Sequence, residues 1–249
     1  RQRRRRQESL KAMTWRRFTR HKPAMISLVI LACVIIGAVV VPTITHYDPL
    51  TTHVEIIREP PSSAHLFGTD ELGRDLLTRL WYGGRVSLLI GVATMLVAIL
   101  IGTLIGAVAG FYGGRIDNLL MRFTDFVLAI PGLFLLLLLA QLLRSTNNPE
   151  LSGGPMPIII IIGIISWTGT ARQVRGQFLA LKAKEFVESA RMSGARNARI
   201  MLRHILPNAL TPLCVQATLS SGYAILDAAG LSFIGLGVRV PTPEWGVMI

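Results

Sequence analysis

Residues 185–208 read EFVESARMSGARNARIMLRHILPN, and their reading decides the fold. The segment is basic, rich in good helix formers, and broken by one glycine, Gly194. A near-uncharged apolar run precedes it and a second long apolar run follows it. A charged helix–Gly–helix segment in that setting fits a loop that leaves a membrane, turns and re-enters it.

Composition points the same way. The chain has 249 residues, 51% of them hydrophobic and only 16% charged. Soluble domains carry about 25% charged residues. The net charge of +12 is concentrated rather than spread. Arg1, Arg3 to Arg6, Lys11, Arg16, Arg17, Arg20 and Lys22 crowd the start, and a second basic block runs from Arg172 to Arg203. Basic blocks beside apolar runs mark cytoplasmic segments more often than nucleic-acid contacts. Cys33 and Cys214 both sit in apolar runs, with neither a disulfide framework nor metal-ligand spacing.

Five apolar runs predict an all-α integral membrane protein. The first, Pro23 to Pro42 (PAMISLVILACVIIGAVVVP), is long enough to cross ~30 Å of hydrocarbon as helix. A signal peptide is the rival reading, but VPTITHYDP follows the run and offers no small-x-small cleavage site. The second runs from Val86 to Gly110 and holds Gly102, Gly106 and Gly110, a doubled G-x-x-x-G at the spacing of a helix-packing seam. After a short turn at FYGGRIDN, the third runs from Leu119 to Leu143 with a kink expected at Pro131 and a local Arg122–Asp125 pair. The fourth is Met156 to Ala171. The fifth is Leu206 to Ala229, with Asp227 close to its interfacial end.

The organisation that follows is a basic cytoplasmic segment (1–22), a first span (23–42), an extracytoplasmic loop (43–84) and a core transmembrane domain (85–249) containing the cytoplasmic loop 172–205. In the outer loop, Leu72, Leu76, Leu77, Leu80 and Trp81 fall on one helical face. Asp70, Glu71, Arg74, Asp75 and Arg79 fall on the other. This predicts an amphipathic helix over 69–83, with Asp70–Arg74 and Asp75–Arg79 as acid-first i,i+4 pairs.

Charge orients the chain. With the N-terminus in the cytoplasm, loop 43–84 lies outside and its acids outnumber its basic residues. The outer loop 144–155 has only Arg144, whereas loop 172–205 inside carries Arg172, Arg175, Lys182, Lys184, Arg191, Arg196, Arg199 and Arg203. Within that inner loop, Gln177 to Ser193 predicts one helix ended by Gly194 in a left-handed C′ position. Ala195 to Ile205 predicts a second, and Pro207 opens the next span. A DNA-binding helix-turn-helix or a loop that merely fixes topology would also place basic residues here. The small residues Ala190, Ser193, Gly194 and Ala195 favour a knob that docks into a groove of a soluble partner.

ESARMSG followed by ILPN resembles the E-A-A-x3-G-x9-I-x-L-P loop of binding-protein-dependent ABC importers. Glu188, Ala190, Gly194, Leu206 and Pro207 match it. Ser189 stands in place of the second motif residue, and His204 in place of the isoleucine, with Ile205 adjacent. FGTDELGRDLLTRLWYGGRVSLLIG (67–91), ARQVRGQ (171–177) and LSFIGLGVRVPTPEWG (231–246) are similar to the dipeptide/oligopeptide/nickel permease family, second-subunit type. The resemblance implies a type I ABC importer transmembrane domain, for which a sixth span beyond the five is expected. It also implies an ATPase-coupling loop comprising Glu185, Glu188, Ala190, Arg191, Gly194, Ala195, Arg199, Leu206 and Pro207. The implied partners are a homologous second permease, two cytoplasmic ATPases carrying ATP and Mg, and an extracytoplasmic binding protein. Asp70, Arg74, Asp75 and Trp245 become candidates for an outer docking surface or gate.

The residues themselves agree on one negative. There is no G-x-x-x-x-G-K-[ST] phosphate loop, no nucleophile–base constellation and no metal cluster in the pattern; the resemblance implies a transport subunit rather than an enzyme, with its energy source on another chain. Peptide is the leading cargo and nickel or a chelated metal the alternative. An ATP-independent channel or a membrane scaffold is the reading from another class, and the scarcity of polar residues in the spans argues against a channel.

Overall fold

The computed structural model describes residues 10–146 and 154–248. Arg1, Arg3 to Arg6, the side chains of Lys11 and Arg144, and the polar stretch 147–153 lie outside the described residues. The described chain is helical and without named strands: α1 (Leu10–Arg20), α2 (Lys22–Ile44), a 3-10 turn (Val54–Ile56), α3 (Leu76–Tyr112), α4 (Gly114–Ala129), α5 (Gly132–Arg144), α6 (Met156–Lys182), α7 (Glu185–Met192), and Asn197–Phe233, which we label α8. Among the described residues, four helices are long and apolar enough to cross a membrane, and α4 with α5 makes a fifth if that bent pair is one span. Two compact units divide the chain, Arg1–Arg85 and Val86–Ile249, with the boundary inside α3.

In the first unit, Pro23 sits in the first turn of α2, where a missing N–H does no harm, and the His21 side chain caps the Ala24 N–H at 3.2 Å. The helix is apolar on every side and only Ala38 is buried, the pattern of a helix facing lipid. Gly37 lets Trp81 approach so closely that a Cβ there would sit 2.2 Å from the indole ring.

The expected helix over 69–83 is corrected. Residues 69–75 form a tight turn, and the helix begins at Leu76. Asp70 accepts hydrogen bonds from the Leu72 and Arg74 amides at 2.9 and 3.0 Å, and Gly73 has φ +71. Such local side-chain bonds compete with helix formation. The Asp70–Arg74 pair forms (2.7 Å), but Asp75 turns to His65 (3.0 Å) and to the Thr78 amide (2.8 Å). Arg79 meets Asp70 and the Pro49 carbonyl instead. From Leu76 the helix runs on without a break through the second span. Its 37 residues extend about 55 Å, far beyond the hydrocarbon thickness.

In the second unit, α6 is the central helix, burying Ile158, Ile162, Trp167, Val174 and Phe178 among others. Gly102, Gly106 and Gly110 of α3 line its flank. A Cβ at Gly106 would lie 2.3 Å from the Ala171 carbonyl oxygen, and one at Gly102 or Gly110 would meet Thr170 or Phe178. Two apolar cores flank this seam. One gathers Ile90, Leu136, Ala140, Ile158, Ile162, Ala224 and Leu231, and the other gathers Phe111, Val174, Phe178, Val187, Ile200, Ile205 and Leu213.

The kink expected at Pro131 is present as a sharp bend, and other expectations are corrected in this unit. The third span is a broken pair, bent 83° between α4 and α5. Pro131 drives the preceding Ile130 into extended backbone, which ends α4. Asp125 pairs with Arg172 at 2.6 Å rather than with Arg122. The fourth span does not stop at Ala171: α6 continues to Lys182, and the helix expected over 177–193 is split at Ala183–Lys184. Finally, the second elbow helix and the fifth span are one helix, α8, with a π-helical turn over Ile200–Ile205.

Candidate functional site

The elbow is built from the end of α6, all of α7 and the start of α8. The Lys184 carbonyl accepts from the Val187 amide at 2.9 Å and opens α7. Glu185 and Glu188 lie in its first turn and Arg191 in its last, each favourable to the helix dipole. Val187, 1% exposed, is the root of α7 and packs in the core that holds Phe178, Ile200 and Ile205.

The far end of α7 is closed by a Schellman motif. Gly194, at φ +77, donates its N–H to the Arg191 carbonyl at 3.0 Å, and Ala195 donates to the Ala190 carbonyl at 3.1 Å. Ala190 and Ala195 both pack against the same core as Val187. The small side chains therefore face inward and let the turn sit close to the bundle.

The π turn has a local cause. Pro207 has no N–H to offer the Arg203 carbonyl, and the Leu206 amide bonds the Met201 carbonyl five residues back. Asn208 then donates its side-chain amide to the His204 carbonyl at 2.6 Å. On a regular α-helix, Ile200 and Ile205 would point about 140° apart. Here both are fully buried in one core, so the wider turn gives α8 two anchors beneath the elbow.

Turned outward are Glu185, Glu188, Ser189, Arg191, Met192, Arg196 and Arg199, with Met192 90% exposed. Among the described residues these charges form no ion pair with one another. The result is a short helix, rooted in the core, that presents Met192, and to a lesser extent Phe186, among unpaired charges. Leu206 is partly buried beneath it, and Pro207 is exposed. Lys182, the last residue of α6, donates to the Phe111 carbonyl at the end of α3 and so ties the elbow to that helix.

The remaining sequence candidates lie elsewhere. Asp70, Arg74 and Asp75 share the turn of the first unit described above. Burial pushes the Asp70 carboxyl up, but the Arg74 side chain and the Arg74 and Leu72 amides outweigh it, leaving Asp70 below the ordinary aspartate value. Trp245 belongs to the second unit, where its amide donates to Ser87 Oγ at 3.2 Å. Beside it stands a residue that sequence reasoning missed. Glu244 is 0% exposed and accepts from Ser87 Oγ (3.1 Å) and the Gly246 amide (3.0 Å). Asp117 was also missed; it forms a two-pronged pair with Arg175 (2.5 and 2.7 Å). Asp117 shares α4 with Arg115, Arg122 and Asp125, so its charge alone did not single it out.

Residues 102–249 match the family described as "Binding-protein-dependent transport system inner membrane component", and residues 9–61 match "N-terminal TM domain of oligopeptide transport permease C". The oligopeptide transport system permease protein OppC of Bacillus subtilis is 41% identical over 93% of this chain and 73% of its own length. The dipeptide transport system permease protein DppC of the same organism is 41% identical over 94% of this chain and 71% of its own. The di/tripeptide transport system permease protein DppC of Pseudomonas aeruginosa is 39% identical, covering 94% and 77%.

Proposed function

The chain belongs to the family of binding-protein-dependent transport system inner membrane components, and from that premise we propose that it is one permease half of an ATP-driven importer of di- and oligopeptides. It is a multi-pass membrane transport subunit and not an enzyme. Peptide is favoured over nickel because the relatives just described are named for oligopeptide, dipeptide and di/tripeptide transport.

In this reading a homologous permease completes the pathway, two ATPases carrying ATP and Mg sit on the cytoplasmic face, and a binding protein delivers peptide from outside. The N-terminus and the elbow are cytoplasmic. ATP-driven closure of the ATPases moves α7, and the bundle switches between inward- and outward-facing states as a rigid-body, two-state change. The observation that carries the proposal is α7 itself. A helix anchored by Val187 and locked by the Gly194 turn can transmit force, and its exposed Met192 offers a side chain for a groove.

The test uses the complete transporter with cysteines at Met192 and Arg196. Both should react with an impermeant thiol reagent only from the cytoplasmic side, and Met192→Cys should cross-link to an ATPase subunit. Glu188→Lys should leave membrane insertion intact while peptide uptake falls. Labelling only from the external medium, or normal uptake by Glu188→Lys together with Gly194→Pro, overturns the assignment.

A further inference from the structure

Helix α4 is attached to the bundle in an unusual way. Its buried residues are Asp117 and Thr124, with no large apolar side chain among them. Leu119 and Phe126 point outward, Phe123 is about half exposed, and the Thr124 hydroxyl bonds back to its own helix at Leu120. The polar contacts that join α4 to α6 are ion pairs. Asp117 takes both prongs of Arg175, and Asp125 takes Arg172. A stacked Phe123–Trp167 ring pair, with centroids 6.0 Å apart, lies on the same interface.

Both arginines belong to the helix that leads into the elbow. Only Ala183 and Lys184 separate the end of α6 from the start of α7. Beyond its 83° bend, α4 continues as α5, whose Leu136 and Ala140 sit in the core remote from the elbow. A path therefore runs from α7 along α6, across two charge rungs to α4, and through the bend to α5.

We propose that the Arg175–Asp117 and Arg172–Asp125 rungs are the positioning linkage that makes α4 travel with α6 when the elbow is driven, so that ATP hydrolysis becomes transport. An apolar contact between helices gives little directional hold where lipid competes for the same surface. A two-pronged arginine–carboxylate pair fixes both distance and orientation. A largely shielded carboxylate cannot part from its arginine without leaving a bare charge, which resists sliding. Arg175–Asp117 is the tighter rung and Arg172–Asp125 the more exposed one.

The proposal rests on the coupling reading above, so the experiment separates the two. In the complete transporter, reconstituted with its ATPases and binding protein, Asp117→Ala and Arg175→Ala should keep hydrolysing ATP. Peptide taken up per ATP should fall at least about tenfold. The exchanged pair, Asp117→Arg with Arg175→Asp, should recover most of that loss, and Arg172→Ala should have a smaller effect than Arg175→Ala. Unchanged uptake per ATP in the single variants, or an exchanged pair as impaired as either single, overturns the linkage.

Because a broken rung could impair assembly, a second measurement leaves all four charges in place. Spin labels at the exposed positions Leu119 on α4 and Leu179 on α6 should keep one separation in the nucleotide-free and ATP-bound states, while a label at Met192 changes its distance to a label on the elbow of the homologous permease. A change in the Leu119–Leu179 separation while Met192 responds overturns the linkage alone. No response at Met192 overturns the coupling reading and the linkage with it.

Discussion

Arg85 donates from Nε to the Ala38 carbonyl at 3.2 Å and from Nη2 to the Val39 carbonyl at 2.9 Å. The Ala38 carbonyl is free because its helical partner would be residue 42, which is a proline and has no N–H. A proline inside a membrane helix is tolerated when another group satisfies the carbonyl it leaves behind, and here that group comes from the start of α3. Replacing Arg85 by Leu should lower resistance to unfolding in bicelles by about 1–3 kcal/mol. In a Pro42→Ala background, where the helix supplies its own N–H, the same change should cost clearly less. Equal losses in both backgrounds would show that Arg85 acts through something other than the freed carbonyl.

The seam between α3 and α6 gives a sharper contrast. A Cβ at Gly106 would stand 2.3 Å from a backbone oxygen, which cannot rotate away. Gly106→Ala should therefore destabilise by about 1–3 kcal/mol, and Gly106→Leu should prevent the two helices from closing. Gly176 on α6 has open space where its Cβ would be. Gly176→Ala should be neutral or stabilising by up to about 1 kcal/mol, since it removes a helix-weakening glycine. Melting temperatures of the three variants in one detergent decide the matter.

The turn closed by Asp70 should open in acid. The Asp70 carboxyl is held below its ordinary value of 3.8 in the folded turn, so the unfolded turn takes up the proton first. Its contribution is fully present above the ordinary value and is lost as pH falls through the lower folded one. Exchange of the Leu72 and Arg74 amides, both bonded to Asp70, should accelerate beyond the intrinsic pH trend as pH falls below the ordinary value of 3.8. Asp70→Asn should abolish that extra acceleration. Acceleration of the same size in the variant would assign it to another group.

Much of the fold is readable because its cause is local. A twenty-residue, almost wholly apolar run such as Pro23 to Pro42 needs no distant partner to be understood as a span. Gly102, Gly106 and Gly110 show their spacing in the sequence itself. The misreadings share the opposite property. Arg172 and Arg175 look like loop residues until their partners, 47 and 58 positions away, are known. With those partners the helix runs through them to Lys182. The split between α6 and α7 has the same origin, because turning the chain there is worthwhile only if Val187 can reach Ile200 and Ile205. Over 69–83 the helical period is real from Leu76 onward, but the Asp70 turn captures the residues before it. Glu244 lies in the 231–246 motif, but its burial was not legible, since its partner Ser87 lies 157 positions earlier.

The elbow turn can be tested through the backbone alone. Gly194 stands at φ +77 with no atom near its missing Cβ, so a substitution there is penalised by conformation and not by crowding. Asparagine visits that region more readily than other side chains, alanine reaches it at about 1–2 kcal/mol, and a β-branched residue is worse. If the Schellman closure holds α7 in its working position, peptide uptake per ATP should fall in the order Gly, Asn, Ala, Val at position 194, with membrane insertion unchanged. Impermeant labelling of a cysteine at Met192 supplies the structural half of the comparison, because a loosened turn alters its rate in the same order. If asparagine and valine impair uptake alike, the left-handed conformation is not what the transporter needs from this glycine, and contact with the partner surface is the remaining cause.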